Sequence, residues 1–287
     1  MEVIRSEVIG YCKGVSRAVS IINEAIKLGN ELHLKVYSLG YLIHNPQVVE
    51  NIKQKGVVII GEEDATKVEA GIVVLRAHGV SDKVRRLFLD NNFYIYDATC
   101  PIVLTEQTIV EKAPATSTIV VIGGQTHPEA LTLKSVETTN EKVIISDIED
   151  IINIPITNNL FVVMQSTYPS GMSREILNAL ETFAYKNILE IEFANELCNS
   201  NQRRRNAVAK LSKKCNCIIV VGGKNSSNTR GIYNYCKNQG VETYLVSNKE
   251  EVPLELFNYK VIGLATGTST PPFVINEIEE YLKRGTK

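Results

Sequence analysis

The sequence predicts an α/β protein with mainly parallel sheets, and two observations lead to that class. Short apolar segments of strand length alternate with amphipathic segments of helical period along the chain, the pattern of parallel strands joined by crossover helices. Features of similar order then recur three times, at intervals of about 90 residues. We therefore expect three small α/β domains, related by pseudo-threefold symmetry, around one central site.

The predicted strands are apolar runs bounded by polar or glycine-containing turns. In chain order they cover residues 1–7, 35–39, 57–60, 72–75, 118–122, 142–145, 160–164, 218–221, 242–246 and 260–264. Helices fill the intervals. The ends of one helix can be predicted from local residues. Asn45 is a favourable N-cap, Pro46 suits the first turn and Gly56 ends the segment.

Composition excludes several classes of function. The chain has 287 residues, 44% hydrophobic and 22% charged, which is typical of a globular protein. Its 31 Lys and Arg against 32 Asp and Glu give no basic excess, so we expect no nucleic-acid partner. The N-terminal segment lacks the features of a signal peptide and no apolar run is long enough to span a bilayer, so we expect a cytoplasmic protein without membrane attachment.

Three of the six cysteines mark the repeats. Cys12, Cys100 and Cys198 each open a unit with a similar order of features. The predicted domains are residues 12–97, 98–195 and 196–287, with the N-terminal segment 1–11 completing the third. In a reducing compartment these cysteines are expected to be free, ligating or catalytic rather than paired in disulfides.

Two polar loops in each unit follow predicted strands. The first set covers residues 40–45, 123–129 and 222–228, and the second covers 76–79, 165–167 and 266–269. Ligands of open α/β sheets bind beyond the carboxyl ends of the strands. We therefore expect the six loops and three cysteines to face a shared cleft.

Three thiolates from separate domains suit a metal site with one open position. Either a tetrahedral metal or a cubane iron-sulfur cluster fits that arrangement, and thiolates without other ligands favour the cluster. The alternative is that all six cysteines are small core residues. We assign Cys215, Cys217 and Cys236 to that core class, because they lie near or within predicted core elements.

The loops also carry groups suited to an anion and to proton transfer. His44, His78 and His127 lie at matching strand ends, although an isolated loop histidine is usually a surface residue. Hydroxyl and amide donors beside helix N-termini suit a diphosphate, or alternatively cap the helices: Ser226, Ser227, Asn228 and Ser269. Glu129 either caps its helix or is the proton donor for a leaving hydroxyl.

At these residues the sequence resembles the LytB family, the 4-hydroxy-3-methylbut-2-enyl diphosphate reductases. The matching stretches occur in family order along nearly the whole chain: residues 10–18 (GYCKGVSRA), 43–45 (IHN), 77–80 (AHGV), 97–101 (DATCP), 127–129 (HPE), 223–228 (GKNSSN) and 266–271 (TGTSTP). Together they are highly specific.

The resemblance implies reductive dehydroxylation of that allylic diphosphate to isopentenyl and dimethylallyl diphosphate, with reduced ferredoxin or flavodoxin as electron donor. It implies a 4Fe-4S cluster with one open iron, held by Cys12, Cys100 and Cys198. Glu129 matches the proton-delivery glutamate, assisted by His127 and by the hydroxyls of Ser166 and Thr167. The residues that match the substrate-binding positions are His44, His78, His127, Ser226, Ser227, Asn228 and Ser269.

The sequence departs from the family pattern after two of the cysteines. Residues 102–107 (IVLTEQ) replace the common Val-Thr-Lys-Val-His stretch, and residues 199–203 (NSNQR) replace a Thr-rich segment. These departures motivate an alternative function, an iron-sulfur sensor or binding protein of the same fold without reductase activity. A zinc-dependent hydrolase of a small diphosphate is a second alternative.

Overall fold

Parallel strands and helices alternate along the chain in the computed structural model, which describes residues 1–43, 45–156 and 158–285. The strands are β1 (Glu2–Arg5), β2 (Val36–Leu39), β3 (Val58–Ile60), β4 (Ile72–Leu75), β5 (Tyr94–Asp97), β6 (Ser117–Ile122), β7 (Lys142–Ile145), β8 (Asn159–Met164), β9 (Ile191–Phe193), β10 (Cys217–Val221), β11 (Glu242–Val246) and β12 (Val261–Thr266). The α-helices are α1 (Lys13–Leu32), α2 (Pro46–Gln54), α3 (Asp82–Asp90), α4 (Pro101–Glu111), α5 (Pro128–Ser135), α6 (Ser170–Lys186), α7 (Ser200–Leu211), α8 (Ser227–Asn238) and α9 (Pro272–Arg284).

The strands form three four-stranded sheets with the same internal order. These are β3-β2-β4-β5, β7-β6-β8-β9 and β11-β10-β12-β1, and every pairing is parallel. In each sheet the strand at one edge is the one that leads into a cysteine of the repeat: β5 into Cys100, β9 into Cys198 and β1 into Cys12. The predicted α/β class with three parallel-sheet units is confirmed.

Two strands, β5 and β9, were not among the predicted strands. Both lie at sheet edges, and their residues are exposed or only half-buried. Neither therefore has the continuous apolar run by which the central strands were found. The predicted ends of the other strands, including β1, agree with the structure to within two residues.

Helices cover the central strands on both faces. Along β6, Val120 and Ile122 pack into one apolar cluster while Ile119 and Val121 pack into another. Strand β10 shows the same division, since Ile219 and Ile218 belong to different clusters. A parallel strand that is buried on both faces reads as an unbroken apolar run, which is why these strands were easily predicted.

The predicted boundaries of α2 follow from local chemistry. The side chain of Asn45 accepts hydrogen bonds from the backbone N–H groups of Gln47 at 2.9 Å and Val48 at 3.1 Å. Pro46 occupies the first turn, and Gly56 adopts a φ of 89° just beyond the helix. The helix therefore begins and ends where its capping residues require.

The chain separates into two compact units. The first contains residues 1–17, 43–56 and 199–287, with the sheet formed by β1, β12, β10 and β11. The second contains residues 18–42 and 57–198, with the other two sheets. None of the helices in the described part of the chain combines the length and the apolar composition needed to cross a bilayer.

Candidate active site

The backbone N–H of each repeat cysteine makes a hydrogen bond of the same kind. The N–H of Cys12 donates to the carbonyl oxygen of Thr268 at 2.9 Å, that of Cys100 to Ala77 at 2.9 Å, and that of Cys198 to Ser166 at 2.8 Å. Each acceptor is the second residue after a strand, namely β12, β4 and β8 respectively. Each cysteine is thus held at the carboxyl end of the strand beside its own edge strand.

All three cysteines also lie at the start of a helix. The carbonyl of Cys12 accepts from the N–H of Ser16 at 2.9 Å and that of Cys100 from Leu104 at 3.0 Å, while Cys198 directly precedes the N-cap residue of α7. The first backbone N–H groups of a helix have no acceptor within the helix and face groups placed at its start. Because the three side chains are also half-buried rather than enclosed in a core, they fit the donor set of a metal or cluster.

The other three cysteines have a different environment. Cys217 and Cys236 are fully buried in apolar clusters, and burial raises the pKa of each thiol to about 12. Burial also raises the pKa of Cys215, whose Sγ donates to the carbonyl of Leu211 at 3.2 Å. These thiols suit the apolar core. Among the described residues, the structure contains no preassembled group of three His, Cys, Asp or Glu side chains able to hold a metal ion.

Glu129 is a buried acid in the first turn of α5. Only 2% of the residue is exposed, and its Oε1 accepts a hydrogen bond from the backbone N–H of Ser166 at 2.5 Å. Burial raises the pKa of Glu129 above its usual value, although the bonds from Ser166 partly oppose that rise. The carboxyl group is therefore able to carry a proton at a pH where an exposed glutamate is ionised.

His127 caps the same helix. Its Nδ1 accepts a hydrogen bond from the backbone N–H of Glu129 at 3.2 Å. In the neutral ring the proton then resides on Nε2, and a ring N–H of this kind donates hydrogen bonds to anions. The ring of His78 makes an edge contact with that of His127, with centroids 5.5 Å apart. The structure thus brings together two of the predicted histidines, whereas His44 lies outside the described residues.

Gln165 joins two of the predicted polar loops in the second unit. Its Oε1 accepts from the backbone N–H of Gly124 at 3.0 Å, and its Nε2 donates to Thr167 Oγ1 at 3.2 Å. Ser166 is buried and Thr167 is half-buried. The loop that carries Ser166 and Thr167 is therefore fixed against the loop that leads into His127 and Glu129.

In the first unit, hydrogen bonds fix two loops of predicted anion-binding residues. Ser226 is the N-cap of α8 and accepts from the N–H of Thr229 at 3.3 Å, with Ser227 exposed after it. The side chain of Asn228 accepts from Asn201 at 2.7 Å and donates to Thr268 Oγ1 at 3.0 Å.

Ser269, which follows β12, is half-buried in the same unit. Its carbonyl oxygen accepts a hydrogen bond from the side chain of Asn45 at 2.8 Å. Of the three serines, only Ser226 caps a helix, since α8 begins at Ser227 and the N-cap of α9 is Pro271. Capping does not exclude anion binding by Ser226, because a capping hydroxyl oxygen still has a hydrogen to donate.

The sequence reasoning missed Glu106 on α4. The residue is 1% exposed, and its pKa is raised to about 9 by burial, by the nearby charge and hydrogen bond of Glu129 and by the charge of Cys198. The available indication was its position, since Glu106 shares the buried face of α4 with Val103 and Val110. A glutamate on the apolar face of an amphipathic helix needs a specific partner.

Arg204 was missed for the same reason. It shares the buried face of α7 with Ala207, Val208 and Leu211, and it is only 2% exposed. Its guanidinium group donates to the carbonyl of Gly10 and, at 3.1 Å, to Thr266 Oγ1. Arg204 therefore fixes the loop that precedes Cys12.

In the second unit, a single residue links the buried carboxyl group of Glu129 to Cys198, which lies at the start of a helix. Ser166 makes both contacts, through its N–H to Glu129 and through its C=O to Cys198. Such an arrangement can deliver a proton to a group bound beside the cysteine.

Comparison with known proteins gives a family, relatives and solved structures. The model of the family described as LytB protein matches residues 3–283. A 4-hydroxy-3-methylbut-2-enyl diphosphate reductase of Caldanaerobacter subterraneus subsp. tengcongensis is 34% identical over 286 residues, covering 99% of this chain and 97% of that protein. The enzyme of the same name from Treponema denticola is 31% identical over 294 residues, covering 99% and 100%.

Two solved structures share the fold over nearly the whole chain. One is described as the structure of (E)-4-hydroxy-3-methyl-but-2-enyl diphosphate reductase, the terminal enzyme of the non-mevalonate pathway. It has a TM-score of 0.81 at 28% identity and covers 99% of this chain and 100% of that chain. The E-1-hydroxy-2-methyl-but-2-enyl-4-diphosphate reductase from Plasmodium falciparum has a TM-score of 0.81 at 26% identity, covering 97% and 87%.

Proposed function

The chain belongs to the LytB protein family, and from that membership we propose that it is a reductase of 4-hydroxy-3-methylbut-2-enyl diphosphate. The reaction removes the substrate's hydroxyl group and gives isopentenyl diphosphate and dimethylallyl diphosphate, the terminal step of the non-mevalonate pathway. Curated relatives that match 99% of the chain bear the name of this enzyme, which supports the proposal.

The observation that carries the proposal is the buried carboxyl group of Glu129. Loss of a hydroxyl group from carbon requires a proton on the departing oxygen, because water leaves far more readily than hydroxide. We assign that proton to Glu129, whose pKa is raised by burial and whose orientation is fixed by Ser166. The C–O bond breaks, the oxygen leaves as water, and two electrons and a second proton complete the alkenyl diphosphate product.

Cys12, Cys100 and Cys198 are the proposed ligands of a 4Fe-4S cluster. Their half-buried thiols, their positions at helix starts and their common hydrogen bond to the end of a strand support this assignment. When bound, the cluster would supply the electrons and one open iron site for the substrate. The residues themselves would provide three sulfur ligands, one from the end of each edge-strand segment.

The proposed diphosphate site uses neutral donors and histidines. Two of the proposed donors belong to the second unit, namely His78 and the Nε2–H of His127, whose Nδ1 accepts from the backbone. The remaining proposed residues are His44, Ser226, Ser227, Asn228 and Ser269. Serine hydroxyls at a helix N-terminus suit phosphate oxygens, because the helix dipole and the hydroxyl donors act on the same anion. The hydroxyls of Ser166 and Thr167 are proposed to contact the reacting end of the substrate.

The proposed electron donor is reduced ferredoxin or flavodoxin, acting in the cytoplasm. Such a donor supplies single electrons, and two successive transfers balance one turnover. Thiols persist in such a reducing compartment.

The test is purification without oxygen, followed by iron and sulfide analysis, a visible spectrum and turnover with a chemical reductant. We expect a brown protein that consumes the allylic diphosphate and forms both products. A protein with an intact cluster that neither binds nor reduces the diphosphate would support the sensor alternative. A colourless protein that contains zinc would support the hydrolase alternative.

A further inference from the structure

A second carboxyl group, that of Glu106, is buried with the proposed acid Glu129. Glu106 lies on α4 and is 1% exposed, while Glu129 lies on α5 and is 2% exposed. The two helices pack against each other within the second unit. Two buried carboxyl groups at one place are costly unless a proton or a cation compensates for the second charge.

The oxygens of Glu106 have unequal partners. Oε1 accepts a hydrogen bond from the side-chain amide of Asn195 at 3.2 Å. Asn195 is fixed in turn by two bonds to the backbone of Met164, at 2.7 Å through its Oδ1 and at 2.9 Å through its Nδ2. Oε2 of Glu106 is buried and has no N–H or O–H donor directed at it from the described residues. A carboxyl O–H at Oε2, donating to Glu129, satisfies that atom.

The partners of Glu129 identify it as the acceptor in this pair. The backbone N–H of Ser166 donates to its Oε1, which favours the ionised form of Glu129. Glu106 receives one longer bond, at 3.2 Å from the side-chain amide of Asn195. When the pair holds a single proton, that proton therefore belongs on Glu106.

We propose that Glu106 is a positioning residue for Glu129: its neutral carboxyl group donates a hydrogen bond to the Glu129 carboxylate that remains after proton transfer. This inference rests on the proposed function, because it concerns the proton that Glu129 delivers. The pair then carries one negative charge rather than two, and Glu129 is oriented by Glu106 on one side and by Ser166 on the other.

The groups that face the pair come from four segments. They are Glu106 on α4, Glu129 and the capping His127 on α5, Ser166 after β8, and Asn195 and Cys198 after β9. Burial is the largest cause of the raised pKa of Glu106, followed by Glu129, and the charge of Cys198 acts in the same direction. The hydrogen bond from Glu106 lowers the pKa of Glu129 relative to burial alone.

Two substitutions separate hydrogen bonding from packing. Glu106→Gln keeps the volume and an N–H donor, so it imitates the neutral carboxyl group. Glu106→Met keeps an unbranched side chain of similar size and removes the donor. Without the donor, the pKa of Glu129 rises and Glu129 becomes a weaker acid, so we expect kcat to fall about 10- to 100-fold, the range of one charge-assisted hydrogen bond.

The experiment uses the full chain with its cluster and measures kcat, KM and the pH profile of kcat. We expect Glu106→Met to lower kcat at unchanged KM. In this variant the limb of the kcat pH profile that reports the ionisation of Glu129 should move to higher pH. Glu106→Gln should retain most of the parent kcat. Glu111→Gln, an exposed change on the same helix, is the control. Parental kcat and pH profile in Glu106→Met, or an equal loss in both Glu106 variants, would overturn the proposal.

Infrared spectroscopy tests the pair without turnover. At neutral pH the parent should show the C=O stretch of buried protonated carboxyl groups, and Glu106→Gln should lose a component of that band that both Glu129→Gln and Glu111→Gln retain. An unchanged band in Glu106→Gln would overturn the proposal even if the kinetics agreed. If the parent has a complete cluster but does not turn over, the proposed function fails, and the infrared band alone then decides whether Glu106 holds the proton.

Discussion

The backbone N–H of Ser166 donates a 2.5 Å hydrogen bond to Oε1 of Glu129. Because the carbonyl of the same residue accepts from the N–H of Cys198 at 2.8 Å, the proposed acid and a proposed cluster ligand are held by one residue. Any loosening of this loop therefore disturbs both. The geometry makes Glu129 the residue whose replacement tests the mechanism most directly.

Glu129→Gln should lose most of the turnover and keep the cluster and the substrate affinity. The amide preserves size and hydrogen bonding but has no acidic proton, and a positioned general acid contributes about 10²- to 10⁴-fold in rate. The measurements are kcat with a chemical reductant, the visible spectrum and substrate binding. Turnover at the parent rate would place the acid elsewhere.

Replacement of Cys12, Cys100 or Cys198 by Ser should each abolish the absorbance of the bound cluster. A serine hydroxyl is a poor ligand for iron at neutral pH, because the soft thiolate is what the cluster prefers. Cys217→Ala and Cys236→Ala are the matched controls, since both thiols are buried in the core. The controls should keep the absorbance while losing some thermal stability. The reverse pattern would contradict the ligand assignment.

Ser226→Ala should raise KM more than it lowers kcat. The variant loses one hydrogen bond to a charged phosphate, of about 1.5 to 3 kcal/mol, and also a helix cap of about 1 kcal/mol. Ser81→Ala separates the two effects, because Ser81 caps α3 in the same way, with a 3.3 Å bond from Val84. The control should lose stability at unchanged KM, whereas equal kinetics in both variants would remove Ser226 from the diphosphate site.

Stability should depend on pH through Glu106. The pKa of Glu106 is raised from 4.5 to about 9 in the folded protein. Between these two pH values, the folded state therefore binds a proton that the unfolded state does not. Its contribution to stability is complete below pH 4.5 and is lost as the pH rises to about 9, at about 1.4 kcal/mol per pH unit.

Glu106→Gln should remove this dependence. The measurement is the denaturation midpoint of the parent and the variant at several pH values, with Glu111→Gln as the exposed control. A parent and a Glu106→Gln variant whose midpoints stay parallel across the window would show that Glu106 does not take up a proton on folding.

Arg204→Ala should destabilise the first unit by about 2 to 5 kcal/mol, because it leaves the buried carbonyl of Gly10 without its donor. Arg203→Ala, at the adjacent exposed position, is the control and should change stability little. Since the Gly10 loop leads into Cys12, the Arg204 variant should also bind less iron per chain. The checks are thermal unfolding and iron content, and equal results for both variants would exclude this role.

The central strands and the repeat cysteines could be read from the sequence because each has a local pattern. A doubly buried strand such as β6 is a continuous apolar run, and α2 has its own caps. The edge strands β5 and β9 have no such pattern, because their residues are exposed or only half-buried. The domain boundaries at residues 12–97, 98–195 and 196–287 remain a prediction.

The polar partners inside the site could not be read from the sequence. Glu106 and Glu129 are 23 positions apart on different helices, and nothing local indicates that their carboxyl groups are buried together. Arg204 and Gly10 are separated by 194 positions. Such pairs depend on tertiary packing, and only the presence of a charged residue on an apolar helix face could have indicated that a partner existed.

The pairing of β1 with β12 also determines when, during synthesis, Cys12 gains its hydrogen-bond partner. Strand β1 and Cys12 leave the ribosome early, yet their partners Val261–Leu264 and Thr268 are translated after more than two hundred intervening residues. The sheet of the first unit therefore cannot form while the second unit is being synthesised. The second unit has all its strands between residues 36 and 193, so it can fold before the first unit does. The arrangement that holds Cys12 against Thr268 is consequently complete only after translation has passed Thr268.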